Sequence, residues 1–249
     1  MIASNAAAAD QFSSRSELLL QCLRLVGADE SSIASGAKQV FSALSKQSGA
    51  ALVLVSPPVI SEMRVVAAKN DTVQYRVFEI AVGVCCTSNN MLMSIDETGF
   101  LNPLLEDIDS SDILIQLNAL ELLAELAAHQ HGREYLSQKQ IIQKLSNKLN
   151  QSVLDLLASL IVPGMLKFLG TFAQYQPEML AEYPAFTDTV FHLIQDSDLP
   201  LQIVAIETVS YISTGNQGKR TLANLPGELL IEFVLFFKHR FHWFYKHQW

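Results

Sequence analysis

The sequence predicts an all-α chain of stacked helical repeats, and three observations carry that prediction. Asp112–Leu136 reads DILIQLNALELLAELAAHQHGREYL. On a helix its Asn118, Glu121 and Glu125 share one narrow face, while leucine and alanine cover nearly all the rest. A polar stripe so thin demands burial on two or three sides, which the middle layer of a helical stack supplies and an ordinary surface helix does not. Pieces of this stretch also recur at a fixed spacing. Finally, no segment alternates apolar and polar residues long enough to define a strand.

Two anchors set the period. The first is an acid at the start of each long helix: Asp29, Asp71, Asp112 and Asp198, spaced 42, 41 and 86 residues apart. The last interval is two periods, and the unit between starts near Ser152. Aspartate suits a helix N-cap because its carboxylate accepts hydrogen bonds from unpaired backbone N–H groups. The second anchor is Gly-x-x-x-[Leu/Val] at Gly49–Val53, Gly132–Leu136 and Gly218–Leu222, each glycine expected to end one helix just before a short helix begins. A third, short apolar segment completes each unit: Phe100–Ile108, Ile141–Leu149, Phe186–Ile194 and Leu229–Phe237. A period of about 42 lies within the roughly 40–47 residues of HEAT and armadillo arrays, so the expected fold is a right-handed armadillo/HEAT-type α-solenoid of about five repeats. Most prolines fall at predicted helix starts or turns, where the missing N–H is tolerated.

Three regions follow. Residues 1–16 are small and polar and are expected to form a flexible tail, with an extension of the first helix into them as the alternative. The solenoid runs over 17–232, opening with a short helix at Glu17–Val26. Residues 233–249, FVLFFKHRFHWFYKHQW, are foreign to the repeat pattern: they hold eight of the 21 aromatics and both tryptophans.

Composition narrows the function. The 249 residues are 49% hydrophobic and carry a net charge of −8. Lys238, Arg240 and Lys246 in the final stretch have no acidic companion, so residues 1–232 stand at −11. Phosphate backbones require a positive surface, which argues against nucleic acid as a partner and for a protein partner with a basic patch. No apolar run approaches the roughly 20 residues that cross a bilayer, and no signal peptide is evident. Cys22, Cys85 and Cys86 cannot form a disulfide framework and are read as buried free thiols.

Catalytic motifs are missing. The chain has no Walker loop, dinucleotide fingerprint, nucleophile elbow or HExxH pair. His129 and His131 are two apart, which on a helix separates their faces, so they are read as capping or surface residues. Glu121 and Glu125 read as neighbours on a solvated face. The expectation is therefore a non-enzymatic protein without cofactor, metal or small-molecule substrate.

What remains is a surface. Aligning the long helices by apolar pattern gives a ladder of outward positions: Gln39/Ala43, Glu79/Gly83, Glu121/Glu125, Lys167/Thr171 and Glu207/Tyr211. The candidate contact residues are Tyr75, Arg76, Glu79, Asn118, Glu121, Glu125, Lys167, Thr171, Glu207 and Tyr211. Together they form a mostly acidic groove, with Tyr75, Arg76 and Tyr211 as anchors.

Longer motifs point to a family. NDTVQYRVFEIAVGV (70–84), HQHGREYLSQKQIIQKLS (129–146), VPGMLKFLGTFA (162–173), AEYPAFTDTVFHLI (181–194) and Gln-Gly-Lys (217–219) resemble the proteasome non-ATPase regulatory subunit 5 family in order and spacing, across roughly residues 20–225. The resemblance implies a chaperone of regulatory-particle base assembly that holds the C-terminal domain of a proteasomal AAA ATPase subunit. It also implies location in the cytoplasm, with the nucleus as a second compartment. Family members are longer, so the chain is expected to correspond to a central portion, with 233–249 departing from the family pattern. Two other readings are a general armadillo adaptor for basic peptides and a HEAT-fold nucleic-acid enzyme. The absence of tryptophan before residue 243 weighs against the former, and the acidic groove against the latter.

Overall fold

The computed structural model describes residues 6–152, 158–195 and 198–224, and every regular element among them is helical. The chain divides into two compact units, residues 1–134 and 135–249.

In the first unit, α1 (Ala6–Ser13) and α2 (Ser16–Val26) precede the first long helix, α3 (Ser31–Ser45). Two short helices, α4 (Ser48–Leu54) and α5 (Pro57–Ala67), lead to the long α6 (Asp71–Cys85). The pattern repeats with α7 (Asn89–Asp96), then α8 (Asn102–Glu106) with its 3-10 turn at Asp107–Asp109, then the long α9 (Ile113–Ala127). The three long helices have 15 residues each, and α6 packs against both α3 and α9. Both flanks of α6 are accordingly covered. In α9 the residues from Ala119 to Ala127 are buried except Glu121 and Glu125. The outer helices α2 and α5 pack on each other and on the long layer. Phe41, Leu44, Leu54, Met63, Phe78 and Leu92, each under 2% exposed, fill the space between layers.

Helix α10 (Gln130–Gln138) runs across the division between the units. The second unit then contains α11 (Ile141–Ser152), the long α12 (Val162–Tyr175), the short α13 (Met179–Glu182), α14 (Pro184–Ile194), the long α15 (Leu199–Ile212) and α16 (Asn216–Ala223). Here α12 packs on α15, and α14 on both α11 and α15, around Met165, Phe168, Phe172 and Phe186, all 0% exposed. Gly170 permits the close crossing of the long pair, since a Cβ there would stand 3.0 Å from Thr208 Cγ2. The stacking rule is the same inside each unit: long on long, short on short.

Several sequence expectations need correction. Residues 1–16 are not a loose tail throughout, because α1 occupies Ala6–Ser13 and packs on α2 and α4, with Ala9 1% exposed. Its alanine run has the highest helix propensity. Of the four expected capping acids, Asp112 and Asp198 cap α9 and α15, accepting bonds from Leu114 and Ile115 N–H and from Leu201 N–H. Asn70, rather than Asp71, caps α6 by accepting from Val73 N–H at 2.9 Å. Asp29 caps nothing and instead receives Lys69 at 2.5 Å. Of the cysteines, only Cys85 is buried, while Cys22 and Cys86 are half-exposed. The segment at Leu229–Phe237 and the aromatic stretch 233–249 lie outside the described residues.

The anchor glycines also act differently from expectation. Gly132 and Gly218 do not terminate helices; they sit within the first turn of α10 and α16. A Cβ on Gly132 would lie 2.0 Å from the Leu126 carbonyl oxygen, and one on Gly218 1.9 Å from that of Ile212. Each glycine therefore lets a short helix fold back against the end of the long helix before it. Gly132→Ala and Gly218→Ala are each expected to destabilise the fold by about 2 kcal/mol or more through overpacking, measured by urea unfolding. Gly36→Ala, in the middle of α3 with nothing near its Cβ position, should instead stabilise by about 0.5–1 kcal/mol through its better helix propensity.

Candidate partner-binding groove

The inner helices of the first unit leave an open concavity. A groove of about 770 Å³ runs across α3, α6 and α9 and is lined by residues of all three. From α3 come Lys38, Gln39 and Ser42; from α6, Thr72, Tyr75, Arg76, Glu79, Ile80 and Gly83; from α9, Asn118, Glu121, Leu122 and Glu125. Six of the ten expected contact residues are thus brought together: Tyr75, Arg76, Glu79, Asn118, Glu121 and Glu125. The positions follow from helix geometry, since the polar stripe that packing leaves free faces the groove.

Two of the six are not the projecting anchors that the sequence suggested. Tyr75 is 8% exposed, with its ring edge-on to Phe78 at 5.6 Å. Its hydroxyl lies 2.6 Å from Asp107 Oδ2 and 3.0 Å from the Ile115 carbonyl oxygen, so it ties α6 to the start of α9. Burial, then the Asp107 carboxylate, raises the phenol well above its ordinary range. Arg76 lines the groove and reaches the end of α2, where Nη1 donates to the carbonyls of Val26 at 3.3 Å and Ala28 at 3.0 Å. That placement answers carbonyls left unpaired at a helix C-terminus. Both residues line the groove, but their polar groups are committed to the fold.

The carboxylates are different. Glu79 is paired across the helix gap with Lys38. Glu121 and Glu125 are exposed and one turn apart on α9. The Glu125 carboxyl is raised above its ordinary range by loss of hydration among its neighbours, then by Glu79 and Glu121. Close by, Cys86 Sγ contacts the Glu125 carbonyl at 3.8 Å, and its thiol is pushed up to about 12, chiefly by burial. A thiol so far from ionisation is a poor nucleophile at neutral pH.

Sequence reasoning missed Lys38, Ser42 and Thr72. Lys38 had a readable signal, because it precedes Glu79 by 41 residues, one repeat. The other four expected contacts lie in the second unit. Lys167 and Thr171 are one turn apart on α12, and the Thr171 hydroxyl donates to the Lys167 carbonyl at 2.9 Å. Glu207 and Tyr211 are one turn apart on α15, with Tyr211 52% exposed. None of the four lines the groove of the first unit.

The histidines have a structural place. His131 Nε2 lies 2.9 Å from the Cys85 carbonyl oxygen, bonding α10 to the end of α6. The neighbouring Arg133, 8% exposed, donates from Nη1 to the Ala127 carbonyl at 2.9 Å. His-Gly-Arg at 131–133 thus pins the turn after α9. Among the described residues, no three His, Cys, Asp or Glu side chains are grouped to hold a metal ion, and no helix is long and apolar enough to cross a membrane.

This arrangement defines a helical-repeat protein with a groove on its inner helices, and comparison with known proteins agrees. Residues 2–235 match the family described as proteasome non-ATPase 26S subunit, and the chain belongs to that family. Human 26S proteasome non-ATPase regulatory subunit 5 is 29% identical over 223 residues, 89% of this chain. The chain spans only 44% of the length of that relative. The Drosophila melanogaster subunit of the same name is 30% identical over 152 residues, 61% of this chain and 30% of its own length. Among solved structures, a designed armadillo repeat protein in complex with the peptide (KR)4 superposes with a TM-score of 0.53 at 15% identity, over 88% of this chain and 98% of its own. A second designed armadillo protein gives 0.53 at 16% identity, over 85% and 87%. The fold is thereby an all-α armadillo-type solenoid.

Two outcomes follow from the groove's chemistry. Arg76→Ala leaves the α2 carbonyls without their cation and should cost about 1.5–3 kcal/mol of stability in urea unfolding. Because the Glu125 carboxyl titrates above its ordinary value when folded, its ionised form is penalised in the folded state. That penalty is present at neutral pH and disappears as pH falls below both its folded and unfolded values. Glu125→Gln is therefore expected to stabilise the chain at about pH 7, with the difference from wild type vanishing near about pH 4.

Proposed function

We propose that the chain is a non-catalytic protein-binding chaperone that assists assembly of the proteasome regulatory-particle base. In this reading it holds the C-terminal domain of an AAA ATPase subunit in the groove across α3, α6 and α9, and it works in the cytoplasm or nucleus. The observation that carries the proposal is the coincidence of family membership with an open, acid-lined groove on the inner helices. Glu121 and Glu125 present the negative charge, Asn118 and Gln39 add neutral hydrogen-bonding groups, and Ile80 and Leu122 supply apolar floor. Such a lining suits a basic or amphipathic protein surface. In the second unit, Lys167, Thr171, Glu207 and Tyr211 offer a further contact surface, with Tyr211 as its exposed aromatic.

A second reading is a general armadillo adaptor for basic segments. It is favoured by the acidic lining together with a fold neighbour that was solved in complex with an alternating Lys–Arg peptide.

The test is a calorimetric titration of the purified chain against the C-terminal domains of the proteasomal ATPases, with Glu121→Lys/Glu125→Lys as control. Selective binding to one domain, weakened at least tenfold by the control (roughly 1.4 kcal/mol), is the expected result. Binding that the control leaves unchanged would remove the groove from the proposal. Equal binding to every basic peptide, without preference for an ATPase domain, would favour the adaptor. No binding by a chain that circular dichroism shows to be helical would overturn the chaperone role for this chain.

A further inference from the structure

Three glycines of the helices serve the fold directly: a Cβ at Gly132, Gly170 or Gly218 would stand 3.0 Å or less from another atom of the chain. Gly83 is different. It lies in the last turn of α6, two residues before the helix ends at Cys85. Its φ is not positive, as that of Gly99 is, so no left-handed turn requires it. A Cβ built on it would meet no atom within 4 Å. The open space is the groove, for Gly83 is one of the lining residues and, having no side chain, contributes only backbone. Glu79 and Ile80, four and three residues earlier on α6, share its face, and Leu122 and Glu125 line the groove from α9. Glycine is less favourable than alanine in a helix, and no close packing by the described residues offsets that cost here.

We propose that Gly83 is a specificity-determining residue of this groove: its missing side chain leaves a seat on α6, edged by Ile80 and Leu122, for a large apolar side chain of the protein partner. This rests on the reading of the groove as the docking site. A bulky side chain can lie against helix backbone only where no Cβ stands in the way, which is the close approach that glycine permits. The surroundings select the occupant. Ile80 and Leu122 are 4% and 6% exposed, so they present aliphatic edges beside the bare backbone. Such a seat offers dispersion contacts and removal of apolar surface from water, which leucine, methionine or phenylalanine exploits best. An acidic occupant is disfavoured, because the nearby Glu125 carboxyl is already raised by loss of hydration, then by Glu79 and Glu121. The partner's surface is then amphipathic, with its apolar anchor on α6.

The experiment titrates the whole chain, as wild type, Gly83→Ala, Gly83→Leu and Gly36→Ala, against the C-terminal domains of the proteasomal ATPases by calorimetry, and follows the thermal unfolding of each variant. Gly83→Ala should unfold about 1–4 °C above wild type through its better helix propensity. It should nevertheless bind about three- to tenfold more weakly, because its methyl group intrudes on the seat. Gly83→Leu fills the seat and should bind more than about tenfold more weakly while remaining helical by circular dichroism. Gly36→Ala, on exposed α3 surface outside the groove, should gain similar stability and bind as wild type does. On the bound domain, replacing exposed large apolar residues one at a time by alanine should find one whose loss weakens binding to wild type and restores part of the binding to Gly83→Leu. A rise in stability joined to a loss of affinity separates a partner seat from a glycine that the fold requires. If Gly83→Ala unfolds below wild type, the glycine serves the fold and the inference is overturned. If wild type binds a domain and both Gly83 variants bind it equally well, or no apolar residue of that domain compensates Gly83→Leu, the seat is overturned while the groove stands. If wild type binds none of the domains, the docking reading fails and this inference falls with it.

Discussion

The structure depends on one constraint: a long helix that is apolar around most of its circumference must be covered by the helices packed on it. A helix such as α9, with buried leucine and alanine around most of its circumference, has no stable existence as a surface element. Packing α6 between α3 and α9 covers a flank of each, and it places many side-chain partners about one repeat away. The side-chain bonds of the first unit record that offset: Arg24 to Glu62, Asp29 to Lys69, Lys38 to Glu79 and Tyr75 to the Ile115 carbonyl are separated by 38 to 41 residues. In the second unit, Gln174 to Thr214 and Gln217 to Glu178 are separated by 40 and 39. The period is thus a distance law for contacts as well as a pattern of letters.

The same constraint locates the charge. Packing consumes most of the surface of α6 and α9, so their polar residues have only the remaining stripe, and that stripe faces the groove. Basic residues in the same region serve a different end. Lys69 donates to the Gly27 carbonyl at 2.8 Å and pairs with Asp29, while Arg76 reaches the carbonyls of Val26 and Ala28. Both cations gather at the C-terminal end of α2, where the helix dipole and unpaired carbonyls favour positive charge. The acids Glu79, Glu121 and Glu125 line the inner face, where Glu79 pairs with Lys38.

The motifs that resemble the family are largely architectural. In His-Gly-Arg at 131–133, the histidine bonds the Cys85 carbonyl, the glycine admits the Leu126 carbonyl, and the arginine holds that of Ala127. In Tyr-Arg-Val at 75–77, tyrosine and arginine brace helix junctions, and Val77 is 0% exposed. Such motifs identify a chain well because close backbone approaches and buried hydrogen bonds tolerate few replacements. They say little about what the groove holds, since their polar atoms face inward.

The sequence by itself determined the all-α class, the period near 42, the long helices at α3, α6, α9, α12 and α15, and the ladder that places Glu79, Glu121 and Glu125 on one side. These follow from helical periodicity, a property of residues three and four apart. It could not determine which polar side chains of that ladder were already engaged. Tyr75 and Arg76 read as anchors, and Lys38 was passed over, because each is decided by an atom 32 to 50 residues distant. The cap of α6 falls on Asn70 rather than Asp71 through a bond three residues away, and each anchor glycine admits a carbonyl six residues back; these are local contacts that helical periodicity does not resolve. Local pattern fixes which face a residue takes. Only the tertiary structure, by bringing backbone carbonyls and carboxylates of neighbouring repeats within bonding distance, decided whether that residue braces the fold or remains available to a partner.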